Sequence, residues 1–327
     1  MRILVTGATG KVGNAVACRL VDRGDEVVAL VRDPAKARVA LPDTVELVRG
    51  DVTDAESVRA AAEGVEGAFN CMGIFEQWTA DPGVFDRVNA HGARNVVAAA
   101  REAGARRVVH TSTFDVFHAE TGGTVSERAV AEYPKGTAYE RSKQLAEELV
   151  IAEAAAGDGI ELVICNPAGV FGPGPWAAAG LDSLIRDAVK KRLPAVPPGG
   201  MTLVYVDDVA VAHLAAFDRG TPGVRYILAD GYTPIRELAA AAVESAGRGR
   251  VPKVMPARLA HGVAAAGEAI SRAIKRPPLL GKGQLLFLLW QARADSTKAR
   301  EQLGIEFTPW REGVERTVAW MQAEGRI

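Results

Sequence analysis

Tyr139 and Lys143 stand four residues apart in the stretch TAYERSKQLAEELV. On a helix this spacing sets a phenol and an ammonium on one face. A free phenol, with a pKa of about 10, is a poor acid or base at neutral pH. An ammonium beside it favours phenolate and brings it into a useful range. YxxxK occurs by chance in many chains, so its weight comes from context. That context opens the chain: Thr6-Gly7-Ala8-Thr9-Gly10-Lys11-Val12-Gly13. Gly7 permits a tight turn, Gly10 lets the backbone approach a pyrophosphate, and Gly13 allows close helix-strand packing. The helix that follows offers unpaired N–H groups to an anion. Other chemistries find no support. The five histidines, His91, His110, His118, His213 and His261, lack ligand spacing, so no metal site is expected. Asp207-Asp208 opens a helix and reads as capping. Neither GxSxG nor GxxxxGK[ST] occurs.

These residues need a scaffold. Short, nearly continuous apolar runs at 2–6, 26–31, 45–48, 67–71, 106–111 and 160–165 read as strands. Helical patterns at 11–23, 54–62, 82–103 and 137–156 separate them. This alternation predicts an α/β fold, a doubly wound parallel sheet with right-handed crossovers. After Pro167 the pattern changes. Gly172-Pro173-Gly174-Pro175 and residues 194–200 are punctuation, 203–206 reads as a strand and 207–217 as a helix. From Gly231 onward the reading is mostly helical. The division expected is a dinucleotide-binding domain at 1–170, with 201–222 returning to it. A smaller, mostly helical substrate-binding region would comprise 171–200 and 223–327.

The turn is spaced GxxGxxG and followed by YxxxK. It resembles that of the extended short-chain dehydrogenases/reductases, the epimerase/dehydratase superfamily, although an aromatic residue is usual where Lys11 stands. The stretches NPAGVFGPG from Asn166, YVDDVA from Tyr205 and DSTKAREQLG from Asp295 extend the resemblance over nearly the whole chain. It is nearest to the dihydroflavonol-reductase and 3β-hydroxysteroid-dehydrogenase-like reductases. The resemblance implies that Gly7, Thr9, Gly10, Lys11, Val12 and Gly13 cradle the cofactor. It implies that Asp51 meets the adenine amino group beside Val52, although Asp51 could equally be a turn or capping residue. Cys71, Met72 and Gly73 would run along the cofactor, and Asn166 and Pro167 would line the nicotinamide end. HTSTFDVF resembles the family's SSxxVYG, which puts the catalytic hydroxyl on Thr113, with Ser112 a candidate helper and His110 structural. Asn89, in VNAHGARNVV, reads as a packing and hydrogen-bonding anchor. Tyr139 would be the general acid, and Lys143 would lower its pKa and hold the ribose.

Cofactor choice turns on the end of the second strand, where NAD enzymes place an acid on the ribose hydroxyls. Arg32 stands here, with Lys36 nearby, which favours NADP; Asp33 argues for NAD. The reading is an NADP-dependent oxidoreductase acting on a carbonyl or secondary alcohol of a small, rather apolar substrate. Residues 72–86 and 115–136 should border the pocket. The alternatives are an NAD-dependent nucleotide-sugar epimerase or dehydratase and a non-enzymatic NADP-sensing NmrA-like protein.

Composition sets the outer limits. Lys plus Arg number 39 and Asp plus Glu 40, so no basic excess is available for nucleic acid. Residues 3–6 run into glycines and are too short for a secretory h-region. The run LLFLLW at 285–290 is far too short to span a bilayer; it reads as a buried helix, with a lipid-facing lid as the alternative. Three dispersed cysteines suggest reduced thiols in a cytoplasmic protein. A homodimer through the helices at 82–103 and 137–156 is expected from the family resemblance.

Overall fold

The computed structural model describes residues 1–75, 79–174, 180–275, 278 and 280–327. Residues 76–78, in the expected pocket border, and Pro175, the last of the GPGP run, lie outside the described residues.

Six strands of the main sheet alternate with helices in the first half of the chain: β1 (Arg2–Thr6), β2 (Glu26–Val31), β3 (Glu46–Arg49), β4 (Gly67–Asn70), β5 (Arg107–Thr111) and β6 (Glu161–Pro167). Beyond them, besides two-residue strands, lie β7 (Gly169–Phe171), β8 (Gly200–Tyr205), β9 (Arg225–Leu228) and β10 (Gly231–Pro234). The main sheet has seven strands in the order β9-β6-β5-β4-β1-β2-β3, and every pairing is parallel. The order reverses between β1 and β4, the switch point where such sheets bind ligands at their carboxyl ends. Both faces are covered, which is why the strands read as unbroken apolar runs. Ile3, Val5, Phe69 and Val109 pack on one face with Val16, Leu20, Val209 and Phe217. Leu4, Ala68, Val108 and Ile164 pack on the other with Val58, Val96, Val97 and Val150.

Segments after Pro167 interleave with this core. β8 joins not the main sheet but a three-stranded one, parallel to β7 and antiparallel to β10. The helix Val206–Arg219 then returns to the main sheet, where Val209, Ala212 and Phe217 are fully buried. β9 completes the main sheet by pairing with β6, so the sheet reclaims residues beyond 222. Its sequence RYIL is as apolar as the other strands, and Tyr226, Ile227 and Leu228 are fully buried.

The expected helix at 82–103 is built in three parts: a short turn Gly83–Phe85, a π-helical stretch Asp86–Gly92 and the α-helix Ala93–Glu102. The wider turn brings the backbone at Gly92 close to Val52, where an added Cβ would meet the valine methyl at 2.8 Å. It also carries Asn89 to the loop after β4. Such local widening is frequent at functional sites.

Candidate active site

The glycine-rich turn links β1 to the helix Lys11–Arg23. Gly7 has φ +68, and a Cβ there would lie 2.7 Å from the Cys71 carbonyl oxygen. At Gly13 a Cβ would collide with the Gly7 carbonyl. The Gly10 N–H closes the turn on the Gly7 carbonyl at 2.8 Å, and Asn14 N–H is the first to donate to the helix, at 2.9 Å to Gly10. The N–H groups of Lys11, Val12 and Gly13 are therefore left to an outside acceptor. Gly10, at the N-cap, makes no side-chain cap. A glycine-lined turn with three open backbone donors fits a pyrophosphate.

The Lys11 side chain does not belong to that cradle. Its ammonium pairs with Asp182 at 2.6 Å and donates to the Gly172 carbonyl. Asp182 also accepts from the Gly172 N–H at 3.0 Å and is almost fully buried. Of Lys11, only the backbone faces the expected anion.

At the end of β2, Arg32 is exposed and makes no hydrogen bond or ion pair among the described residues. Asp33 is committed elsewhere, capping the short helix Pro34–Arg38 by accepting from the Lys36 N–H at 3.1 Å. Lys36 is exposed on that helix. Asp51 closes a turn, one oxygen accepting from the N–H and hydroxyl of Thr53. Val52 is buried, and its carbonyl accepts from Asn95 at 2.9 Å. Cys71 and Met72 border the turn through their approach to Gly7, and burial pushes the Cys71 thiol up to about 12.

Tyr139 and Lys143 lie on the helix Ala138–Ala154. A capping box fixes its start: Thr137 accepts from the Glu140 N–H at 3.1 Å, and Glu140 accepts from the Thr137 N–H at 2.7 Å. Tyr139, one residue inside, is thus held by its own helix. Phe85 meets the Tyr139 ring edge-on at 6.3 Å. Behind it, Ser142 donates to the Tyr139 carbonyl at 2.7 Å and accepts from Asn89 at 3.0 Å. Asn89 also brackets Ile74, accepting from its N–H at 2.7 Å and donating to its carbonyl at 3.0 Å. This anchor ties the loop after β4 to the helix bearing Tyr139.

Thr113 follows β5, in extended backbone, and its hydroxyl accepts from the Asp115 N–H at 3.2 Å. Asn166 sits beneath it, donating to the Thr113 carbonyl at 3.1 Å and to Glu147 at 2.8 Å. Glu147 is held in turn by Arg225 at 2.7 Å. Both Asn166 amide protons thus support Thr113 and the helix, while its buried Oδ1 has no partner among the described residues. Pro167 ends β6 opposite Leu228. A Cβ added at Gly73 would meet Asn89 at an ordinary 3.7 Å, and Thr9 lies in the turn between Gly7 and Gly10. Ser112 is buried with its hydroxyl unpaired among the described residues. His110 is buried and held neutral by burial, its Nδ1 accepting from Asn70 at 3.0 Å.

Charges at the site run against the simplest expectation. Lys143 is 4% exposed and donates to the Thr111 carbonyl at 2.8 Å. Burial lowers its pKa to about 8, against the pull of Glu147, Cys71 and Asp115. The Tyr139 phenol is raised rather than lowered, first by burial and then by the Asp115 and Glu140 carboxylates; the Thr113 hydroxyl acts in the opposite sense. Lys143 is turned to Thr111 and does not offset that desolvation. Asp115 went unremarked in the sequence. Its carboxyl is raised to about 7 by burial and Glu140, against Lys135, Thr113 and Lys143. An acid inside the apolar run TSTFDVF was the available signal.

Comparison with known proteins agrees with this architecture. The model of the NAD dependent epimerase/dehydratase family matches residues 3–229. The chain is 32% identical, over 100% of both lengths, to sterol demethylase protein B of Methylococcus capsulatus. It is 28% identical to a putative dihydroflavonol 4-reductase of Synechocystis, covering 99% of this chain and 95% of that one. The UDP-glucose 4-epimerase of Thermus thermophilus, solved in complex with NAD, superposes with a TM-score of 0.79 at 23% identity, covering 98% and 99% of the two chains. The cradle at the switch point and the family match over most of the chain lead to one conclusion: the protein belongs to the NAD dependent epimerase/dehydratase family, as an NAD(P)-dependent enzyme of the extended short-chain dehydrogenase/reductase group.

Proposed function

We propose that this enzyme is an NADP-dependent oxidoreductase that interconverts a carbonyl and a secondary alcohol on a small, apolar substrate. The observation that carries this reading is geometric: the helix bearing Tyr139 and Lys143 is docked against the end of β5, where Thr113 follows, through the Lys143 ammonium on the Thr111 carbonyl. In the reducing direction Tyr139 donates its proton to the substrate oxygen as negative charge develops there. Thr113 hydrogen-bonds the same oxygen and orients it. Lys143, held on the Thr111 carbonyl, would reach the ribose of the bound dinucleotide. The turn from Gly7 to Gly13 would hold the pyrophosphate. A bound nicotinamide dinucleotide would supply or accept the hydride.

Arg32, without a partner among the described residues, and the committed Asp33 support NADP over NAD, since a guanidinium suits a 2′-phosphate. The apolar substrate is supported by the apolar, alanine-rich make-up of residues 252–290. The names of the relatives, a sterol demethylase protein and a dihydroflavonol reductase, point to polycyclic, largely apolar molecules. A nucleotide-sugar epimerase using NAD is the second reading, favoured by the fold likeness to the Thermus enzyme. We place the substrate side in 171–200 and in the helices after β10. The cytoplasm is the proposed location, with Cys18, Cys71 and Cys165 all free. A homodimer would use the helices Ala93–Glu102 and Ala138–Ala154, where Ile151 is 42% exposed.

Titration with each cofactor and a screen of apolar ketones and nucleotide sugars, following absorbance of the reduced cofactor, test the reading together. NADP should bind at least about tenfold more tightly than NAD, roughly 1.4 kcal/mol, and Arg32→Ala should narrow the gap. Equal affinities refute the cofactor assignment, and turnover of nucleotide sugars alone refutes the substrate class.

A further inference from the structure

Residues 257–290 contain five Lys or Arg and a single acid, Glu268, within a chain of net charge −1. The rest of the chain is therefore net acidic, and this segment is a basic island. It folds as two helices, Ala257–Ile274 and Lys282–Trp290. On the first, Leu259, Val263, Ile270 and Ile274 fall within an arc of about 60° at 3.6 residues per turn. They are 56%, 40%, 58% and 57% exposed. Ala260, Ala264 and Ser271 occupy the neighbouring arc and are buried. The apolar face of this helix is thus wider than the surface the fold covers. Leu286, on the second helix, is 57% exposed. Arg258, His261 and Lys275 are exposed on the first helix or at its end. Glu268 is committed to the neighbouring helix, accepting from the Lys282 N–H at 2.8 Å.

We infer that this helix pair docks on the surface of an anionic lipid bilayer. Apolar side chains enter the acyl boundary, and the exposed Arg258 and Lys275 meet the headgroup phosphates, while the Lys282 ammonium faces Glu268 at 3.9 Å. The contact is interfacial: among the described residues no helix is long and apolar enough to cross a membrane. Charge decides the occupant. A second copy of the chain would set this basic island against its own like charge, whereas an anionic headgroup layer complements it. The second helix ends at Trp290, packed on Phe114 beside Thr113 and anchored to the Ala119 carbonyl at 2.8 Å. A docked bilayer would therefore deliver an apolar molecule to the substrate side through this pair. The inference goes beyond the proposed reaction and stands whatever that reaction is.

Co-sedimentation of the full chain with phosphatidylcholine vesicles, with and without phosphatidylglycerol, tests it without any activity measurement. The chain should pellet with the anionic vesicles, stay in solution with the neutral ones, and be released by salt. Leu259→Glu with Ile270→Glu should lower partitioning about tenfold or more while circular dichroism stays unchanged, because both side chains are already exposed. Arg258→Glu with Lys275→Glu leaves the apolar stripe intact and should remove the preference for phosphatidylglycerol, a second route if the first variant misfolds. Absence of vesicle binding overturns the inference. So does a dimer in light scattering that the first variant converts to monomer without any lipid binding, which would make the stripe a subunit contact.

Discussion

Replacing Lys143 by Met should leave a signature in stability that a surface lysine would not. The ammonium is 4% exposed and its pKa is lowered from 10.5 to about 8. Between those two values the unfolded chain binds a proton that the folded chain has released. Stability therefore rises with pH across this window. Below about pH 8 both states are charged and the contribution is constant. At about 1.4 kcal/mol per unit, the full rise is about 3 kcal/mol, of which about 2 kcal/mol falls between pH 8 and 9.5. Lys143→Met keeps the stem and removes the titration. Urea unfolding of both proteins at half-unit steps from pH 7 to 9.5 should give curves whose difference is flat up to about pH 8. Above that the protein retaining Lys143 gains on the variant. The lost hydrogen bond to Thr111 adds only a constant offset. Because Lys143 also lowers the Asp115 carboxyl, both proteins should carry Asp115→Asn as background; Cys71, at about 12, stays outside the window. Parallel curves throughout would mean that the ammonium is solvated in the folded chain, and the reasoning from burial would fail.

Tyr139→Phe keeps the edge-on packing against Phe85, so cofactor affinity and melting should hold while turnover falls about 10²-fold or more; full activity would show that the proton comes from elsewhere. Gly13→Ala forces its Cβ into the Gly7 carbonyl, and calorimetry should show cofactor binding weakened about tenfold or more with the fold retained. Asp115, raised from 3.8 to about 7, binds a proton in the folded state that the unfolded state lacks, so its contribution to stability falls by up to about 4 kcal/mol as pH rises through that window. Asp115→Asn should remove this loss in denaturant titrations and abolish an inflection near pH 7 in the turnover profile; an inflection that persists assigns it to another group.

The sheet was legible because its strands are covered on both faces: β1 and β5 read as unbroken apolar runs and occupy the expected residues to within one position. The helix bearing Tyr139 was equally plain, since its capping box and its pair at i, i+4 are local signals. The π-helical stretch was not, because seven residues of widened turn leave no separate period in side-chain type. β10, read as part of a helical region, is the short GYTP bounded by glycine and proline, and it forms through pairing with β8. The Lys11–Asp182 pair spans two distant segments, and neither residue signals the other in sequence. Nor could the sequence show Lys143 turned to the Thr111 carbonyl, because that orientation depends on where β5 ends beside the helix.

The Lys11–Asp182 pair also bears on how this enzyme could be re-engineered. It joins the glycine-rich turn to the helix Gly180–Val189 through a nearly buried carboxylate that also holds Gly172. A chimera that grafts a relative's substrate segments onto this nucleotide core would inherit the cation without its acid, or the reverse. Removing one partner of a buried pair destabilises by about 3–5 kcal/mol. That is enough to unfold many hybrids before any specificity is measured. Positions 11 and 182 should therefore be exchanged as a unit, along with the carbonyl-bearing loop at Gly172.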